Sequence, residues 1–362
     1  MSHARLFVGA CALFFVAAPA SFAADDPKLD VSETVRKGLD WLAKSQHKAE
    51  GCWEANGNQY PTTMTGLAGM CFLMEGSTYK QGKYSDNIRR AVAWYLKRSQ
   101  PNGMLGNPNN PTETGRYMYG QGFGTLFLAC VYGEEDNEAK RKELEKLLTK
   151  AVLFICKAQT DRGGWGYVSA ADGGGFDEGS VTITQLQALR AARNAGIHVP
   201  KVTIDKAVKY LKDCTTPKGG IIYSLAHGQP VNGGERAPLT AAAVACAFSA
   251  GDYNAEYSKK WIKYCKENIP FGKGRLAHDE YQNYYFSQCV YILGDDGYKK
   301  LFPEDKDPMR WTDFRKTMYE YLKNGQSADG SWGQGGIGTV YTTSINLTIL
   351  QLENGTLPIY QR

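Results

Sequence analysis

Gln159-Thr-Asp-Arg-Gly-Gly-Trp-Gly-Tyr167 and Gln326-Ser-Ala-Asp-Gly-Ser-Trp-Gly333 are two copies of one loop. Gln46 with Gly51 and Trp53 is a third copy, and Gln100 with Gly103 and Leu105 a weaker fourth. The copies recur roughly every 55 residues, and the longer gap between Gln159 and Gln326 holds two degenerate ones, near Thr215 and Asn268. The loop's chemistry is structural: glycine supplies the left-handed backbone that ends a helix, glutamine bonds orphan helix-end groups, and tryptophan covers the next helix start. Sugar stacking by the tryptophans is the competing use, and their regular spacing argues for the structural one.

Working outward from each loop, the chain alternates between two kinds of helical segment. Leu144, Leu147, Leu148, Ala151, Val152 and Ile155 show the first kind, an apolar stripe at helical spacing on an otherwise charged segment. Its companions run near Val31–Ser45, Tyr84–Ser99, Ile204–Cys214, Tyr257–Glu267 and Trp311–Lys323. The second kind is poor in charge all round, as in a helix buried on most sides: Thr62–Met74, Tyr119–Val131, Val181–Ala192, Leu239–Ala250, Tyr284–Leu293 and Val340–Leu352. Short helix pairs that cannot bury their own apolar faces must stack on neighbours. Six such pairs predict an all-α fold, an (α/α)6 barrel with the charge-poor helices inside, formed by residues 24–362 as one domain.

The first residues read differently. Arg5, the apolar run Leu6–Ala18, Pro19 and the small-residue site Ser21-Phe22-Ala23 predict a cleaved signal peptide over 1–23, too short for a membrane span. The expected address is therefore secreted or periplasmic, with no transmembrane segment in the mature chain. Lys and Arg total 42 against 37 Asp and Glu, a small surplus spread along the chain that predicts no nucleic-acid surface. Of nine cysteines, Cys71, Cys130, Cys246 and Cys289 lie in apolar helical runs and are expected as buried thiols. Cys214 and Cys265 end successive outer helices and are the pair most open to a disulfide. No Cys-x-x-Cys pair or Cys/His cluster is present, so no metal site is expected. The acids and glycines of Asp172–Glu178 suit Ca²⁺ no better than many ordinary loops do.

The Gln-Gly-Trp loops resemble the Gln-Trp repeats of squalene-hopene cyclases and of protein prenyltransferase β-subunits, both α/α toroids. The ending Leu357-Pro-Ile-Tyr-Gln-Arg362 is similar to the tail of bacterial repeat proteins of this group. The resemblance implies a toroid whose inner-helix N-termini gather at one mouth, and it implies much less about a reaction. Class II terpene cyclases of the group protonate an alkene with a D-x-D-D motif, whereas the nearest stretch here is Phe176-Asp-Glu-Gly-Ser-Val-Thr182. Prenyltransferases hold zinc with Asp, Cys and His. Asp279-Glu-Tyr-Gln-Asn-Tyr-Tyr285 resembles their histidine-bearing helix start but has Gln282 at the ligand position, and Glu235–Thr240 lacks the Asp-x-Cys partner. The Gly-Cys-Gly-Glu-Gln motif of complement-type thioester domains is absent too. No cofactor is expected.

In such a ring, the polar residues just before each apolar run converge on one cavity. Asp177, His278 and Asp279 are the expected catalytic groups. Glu178, Glu235, Glu280, Arg116 and Arg236 are the expected charged substrate-binding groups, with Tyr117, Tyr119, Tyr281 and Tyr341 as the aromatic ones. Tyr60 and Thr62 stand at the corresponding place before the first inner helix. Taken singly, acids at helix N-termini cap helices. Convergence is what argues for function, because a crowded carboxyl with a raised pKa can act as acid or base. The tyrosines, with Tyr284 and Tyr285, suit an isoprenoid pocket, a sugar platform or a tapering core. A toroid binding a small apolar or isoprenoid-like molecule is the leading expectation. The rivals are an α/α-barrel carbohydrate lyase or hydrolase, using Asp177, His278 or Asp279 with Arg236, and a scaffold whose lysine-rich outer helices bind a protein. A deep apolar pocket, an open polar cleft and a filled ring would separate the three.

Overall fold

The charge-poor segments form helices buried on nearly every side, and the striped ones form helices with one dry face. The computed structural model describes residues 30–361 except 108, 134, 136, 229–232, 251, 253, 271–278 and 334. The expected leader lies outside the described residues. In chain order the helices are α1 (Ser32–Ser45), α2 (Pro61–Glu75), α3 (Ser85–Arg98), α4 (Tyr117–Gly133), α5 (Glu138–Ala158), α6 (Gly179–Asn194) and α7 (Lys201–Asp213). They continue with α8 (Ala237–Ala250), α9 (Glu256–Asn268), α10 (Asp279–Leu293), α11 (Gly297–Leu301), α12 (Trp311–Gly325) and α13 (Thr339–Leu350). Along α5 the stripe from Leu144 to Ile155 is buried, and the Asn137 side chain accepts from the Lys140 amide to cap its start. By contrast α2 is buried at every residue from Pro61 to Met74.

Among the described residues there are no strands, only isolated bridges. The molecule is an all-helical α/α toroid. Its inner ring runs α2, α4, α6, α8, α10, α13 and back to α2, each helix packed on the next. Outside it, α3 packs on α2, α5 on α4, α7 on α6, α9 on α8 and α12 on α10, while α1 packs on α13. The first helix of the chain thus docks on the last. No helix among the described residues is long and apolar enough to cross a membrane.

The loops supply the cross-ties. Gln159 Nε2 donates to the carbonyl of Gly163 in its own loop and to that of Thr203 in the next outer helix, both at 2.9 Å. Gln46 does the same with Gly51 (2.8 Å) and Asn87 (3.0 Å), and Gln326 with Gly330 (2.9 Å) and Thr34 (2.8 Å). The Gln326 tie to α1 closes the ring. The indole N–H groups of Trp53, Trp165 and Trp332 donate to the carbonyls of Leu42, Ile155 and Leu322 at 2.7–2.8 Å. Their own backbone amides donate to Thr65, Thr182 and Thr343 on the inner helices. Gly163 has a positive φ of 99°, and a Cβ there would lie 2.3 Å from the Lys206 carbonyl oxygen, so the outer helix rides directly on the loop backbone. The fourth copy departs from expectation. Gln100 bonds the Arg98 carbonyl, and Gln121 of α4 makes the bridge to Gly103 and Ala151 instead.

The lower lumen is occupied. Gln187 of α6 donates to Gln288 of α10 at 3.0 Å, and the hydroxyls of Tyr284 and Tyr360 bond at 2.8 Å. Tyr360 belongs to a single 3-10 turn, Pro358–Tyr360, that packs on α6, so the C-terminal tail fills the ring from the inner-helix C-terminal end. The cysteine expectation needs a correction: Cys214 and Cys265 are both buried free thiols, as are Cys71, Cys130, Cys246 and Cys289. Burial pushes the Cys71 and Cys214 thiols up to about 12, which leaves them inert.

Candidate functional site

The inner helices deliver one half-buried tyrosine each to the N-terminal mouth. Tyr119, Tyr281 and Tyr341 occupy the same position, the third residue, in α4, α10 and α13. For α6 and α8 the tyrosine comes from the incoming loop, as Tyr167 and Tyr223. Tyr60 precedes α2 with a left-handed φ of 53°, a backbone that strains any residue with a Cβ.

These rings form one neighbourhood. The Tyr119 and Tyr167 centroids lie 5.9 Å apart, the Tyr167 and Tyr223 hydroxyls share a hydrogen bond, and the Arg116 guanidinium sits 4.7 Å over the Tyr167 ring. Tyr281 stacks at 4.8 Å on Tyr285 and lies within electrostatic reach of Tyr119, Glu178 and Tyr341. The Tyr281 hydroxyl is buried without a hydrogen-bond partner. Burial holds its proton well above the ordinary tyrosine range, and the nearby hydroxyls and the Glu178 carboxyl push the same way.

Glu178 is the carboxyl of this neighbourhood. It caps α6, accepting from the Ser180 amide (2.8 Å) and the Val181 amide (2.7 Å), and it receives the Ser180 hydroxyl at 2.8 Å. That hydroxyl also meets the Tyr119 hydroxyl at 2.6 Å, which connects the carboxyl to the aromatic ring. Burial raises the Glu178 pKa above the usual carboxylate range, outweighing the pull of its hydrogen bonds and of Arg116. The protonated acid is thereby favoured.

The remaining expected residues divide. Asp177 is fully buried, and its carboxylate accepts from Thr160 Oγ1 (2.7 Å), Arg162 Nε (2.9 Å) and the Tyr210 hydroxyl (3.0 Å). Those partners belong to the loop and to α7, so its oxygens hold the wall together while Glu178 meets the tyrosines. Tyr117 is also a wall residue: its hydroxyl donates to Asp172 and accepts from the Ser169 amide. Glu235 repeats the Asp177 arrangement one pair later, accepting from Thr216 Oγ1 (2.9 Å) and the Gly233 amide (2.7 Å). Desolvation works upward on Glu235, and these bonds together hold it below the usual range. The Arg236 side chain is exposed, and Glu280 is half-buried within electrostatic reach of Tyr341. His278 lies outside the described residues; Asp279 starts α10.

Two ring members, Tyr167 and Tyr223, are not picked out by the helix-start pattern because they lie in the loops that precede α6 and α8. The signal was present, since Gly163-Gly-Trp-Gly-Tyr167 and Gly219-Gly-Ile-Ile-Tyr223 align residue for residue. Glu113 was missed as well; it is buried, pairs with Arg98 and accepts from the Thr62 amide at 2.8 Å, fixing the start of α2. Among the described residues no group of three or more His, Cys, Asp or Glu side chains is placed to hold a metal ion.

No family model matches the chain, and no curated protein matches it. Solved structures do. An inactive variant of the α-1,6-mannanase GH76A of Salegentibacter sp. HEL1_6, in complex with α-1,6-mannotriose, is similar at a TM-score of 0.62 and 11% identity, covering 90% of this chain and 100% of that one. A variant of the type II terpene cyclase MstE from Scytonema, in complex with its product merosterolic acid A, is similar at 0.59 and 14% identity, covering 92% and 99%. A protein from Actinoplanes gives 0.55 and 15%, covering 89% and 98%. At such identities the likeness establishes the shared toroid and leaves the chemistry to the site's own residues.

Proposed function

We propose that the tyrosine ring is a shallow cup for a polyhydroxylated, glycan-like ligand, with Glu178 as its proton donor. The observation that carries this is the Tyr281 hydroxyl, buried and unpartnered amid aromatic faces and within electrostatic reach of a carboxyl whose pKa burial raises. A buried hydroxyl without a partner is costly, and a ligand rich in hydroxyls supplies one. Tyr119, Tyr167 and Tyr223 offer flat faces for sugar rings, and Arg116 offers a cation at the rim. As a hydrolase, the site would use Glu178 to protonate the leaving glycosidic oxygen, with Glu280 as the second carboxyl of the mouth. Export of the chain, expected from its leader, places it where glycans are met.

An isoprenoid ligand, the leading expectation from sequence, keeps one specific support: clustered aromatic faces also suit a cationic hydrocarbon. Against it stand the polar Gln187–Gln288 and Tyr284–Tyr360 bonds that cross the lower lumen. The test is calorimetric titration of the purified protein with neutral and acidic oligosaccharides, α-1,6-mannotriose among them, and with geranylgeraniol. Tyr281→Phe should fold with unchanged stability and weaken oligosaccharide binding about tenfold, the worth of one hydrogen bond in a dry site. Glu178→Gln should retain binding and abolish any turnover. Binding of geranylgeraniol alone would replace the glycan with an isoprenoid, and failure of both would leave the scaffold.

A further inference from the structure

A second cavity lies at the other end of α6. It is a groove of about 930 Å³ between α6 and α7 on one side and α8 and α9 on the other. Arg190 is twelve residues beyond Glu178 in the same helix, about 18 Å along its axis, so the groove is remote from the tyrosine mouth. Its apolar surface comes from the half-buried Val199, Ile204, Val208 and Tyr257, over a closed core of Leu189, Ala243 and Trp261. Its walls are basic. Arg190 and Arg193 stand one turn apart on α6, and neither has an ion pair among the described residues. On the neighbouring α7, Lys212 lies 4.1 Å over the Tyr257 ring, with no ion pair among the described residues.

The other charges around the groove are accounted for. Lys201 pairs with Asp205, Lys209 pairs with Asp213, and Asp252 takes the Tyr257 hydroxyl. A cation in the last turn of a helix complements the helix dipole, which explains Arg193 by itself. It does not explain the half-buried Arg190, a turn further in beside that apolar surface. Three cations with no ion pair among the described residues, the half-buried Arg190 and the exposed Arg193 and Lys212, stand around a hollow of ligand size and suit a negative group joined to an apolar body.

We propose that this groove binds a single-chain amphipathic anion, its carboxylate held by Arg190 and Arg193 and its hydrocarbon laid against Val199, Ile204 and Val208. The inference is independent of the function assigned to the mouth. It is tested by calorimetric titration of the full chain with laurate below its micelle concentration, with dodecanol and with inorganic phosphate. Laurate should bind at one site, dodecanol more weakly and phosphate hardly at all. Replacing both cations (Arg190→Gln with Arg193→Gln) should weaken laurate about 10- to 100-fold, as loss of charge-assisted bonds does, and leave dodecanol unchanged. Val208→Trp, a half-buried lining residue of α7, should block both ligands by filling the groove without altering charge. Glu178→Gln should leave laurate binding intact. Absence of laurate binding, an equal loss of dodecanol in the charge variant, or indifference to Val208→Trp would each overturn the proposal.

Discussion

The Gln-Gly-Trp loops and the tyrosine ring lead into the same inner helices and treat their polar groups in opposite ways. In the loops each bond is closed: Trp165 places its indole N–H on Ile155 and its amide on Thr182, and Gln159 spans Gly163 and Thr203. In the ring, bonding capacity is left over in the orphan hydroxyls of Tyr281 and of its neighbour Tyr285. Asp177 and Glu178 stand on the boundary. The first closes its oxygens on Thr160, Arg162 and Tyr210, and the second turns to the tyrosines. Recurrent residues with satisfied bonds hold the toroid, and the orphan Tyr281 hydroxyl beside the aromatic faces is what points to a ligand at the mouth.

The contrast can be broken by experiment. Trp165→Ala carries the largest expected effect: it deletes a fully buried indole and should cost about 3–5 kcal/mol in urea unfolding. A loss below about 1 kcal/mol would mean the loops are not the structural belt. Gln326→Ala should cost about 1–3 kcal/mol, since it removes the donor from the Gly330 carbonyl and cuts the tie to Thr34 of α1. Because that tie closes the ring, amide exchange should accelerate first in α1; uniform acceleration would deny it a special place. The smallest effect is a pH dependence. Glu178 has a raised folded-state pKa, so the native state holds a proton that the unfolded chain gives up near its ordinary pKa. Stability should therefore fall as pH rises from the ordinary glutamate range to the raised one, and Glu178→Gln should remove that slope. A slope of the opposite sign would make Glu178 an ordinary charged cap and take the acid from the site.

Much of this was legible. Apolar spacing located all six outer and six inner helices, because helix periodicity is a local property of the chain, but it missed the polar first turns of α5 and α10, which begin at Glu138 and Asp279. The loop's repetition identified Trp53, Trp165 and Trp332 as structural before their burial was known. The tyrosines at helix starts, Tyr119, Tyr281 and Tyr341, were found by the same logic. Asp177 and Glu178 were not separable, since adjacent carboxylates at a helix start differ only in which way each side chain turns.

The sequence by itself determined the alternation of wet and buried helices, the loop that joins them, and hence the toroid, since each depends on residues within a turn or two of one another. Only the tertiary structure decided which groups meet across the ring. Gln187 meets Gln288, Tyr284 meets Tyr360, and Gln326 reaches back to Thr34. Such pairs are remote along the chain and follow no period, so no local pattern announces them. The filled lower lumen and the unpartnered Tyr281 hydroxyl exist only once the ring has closed.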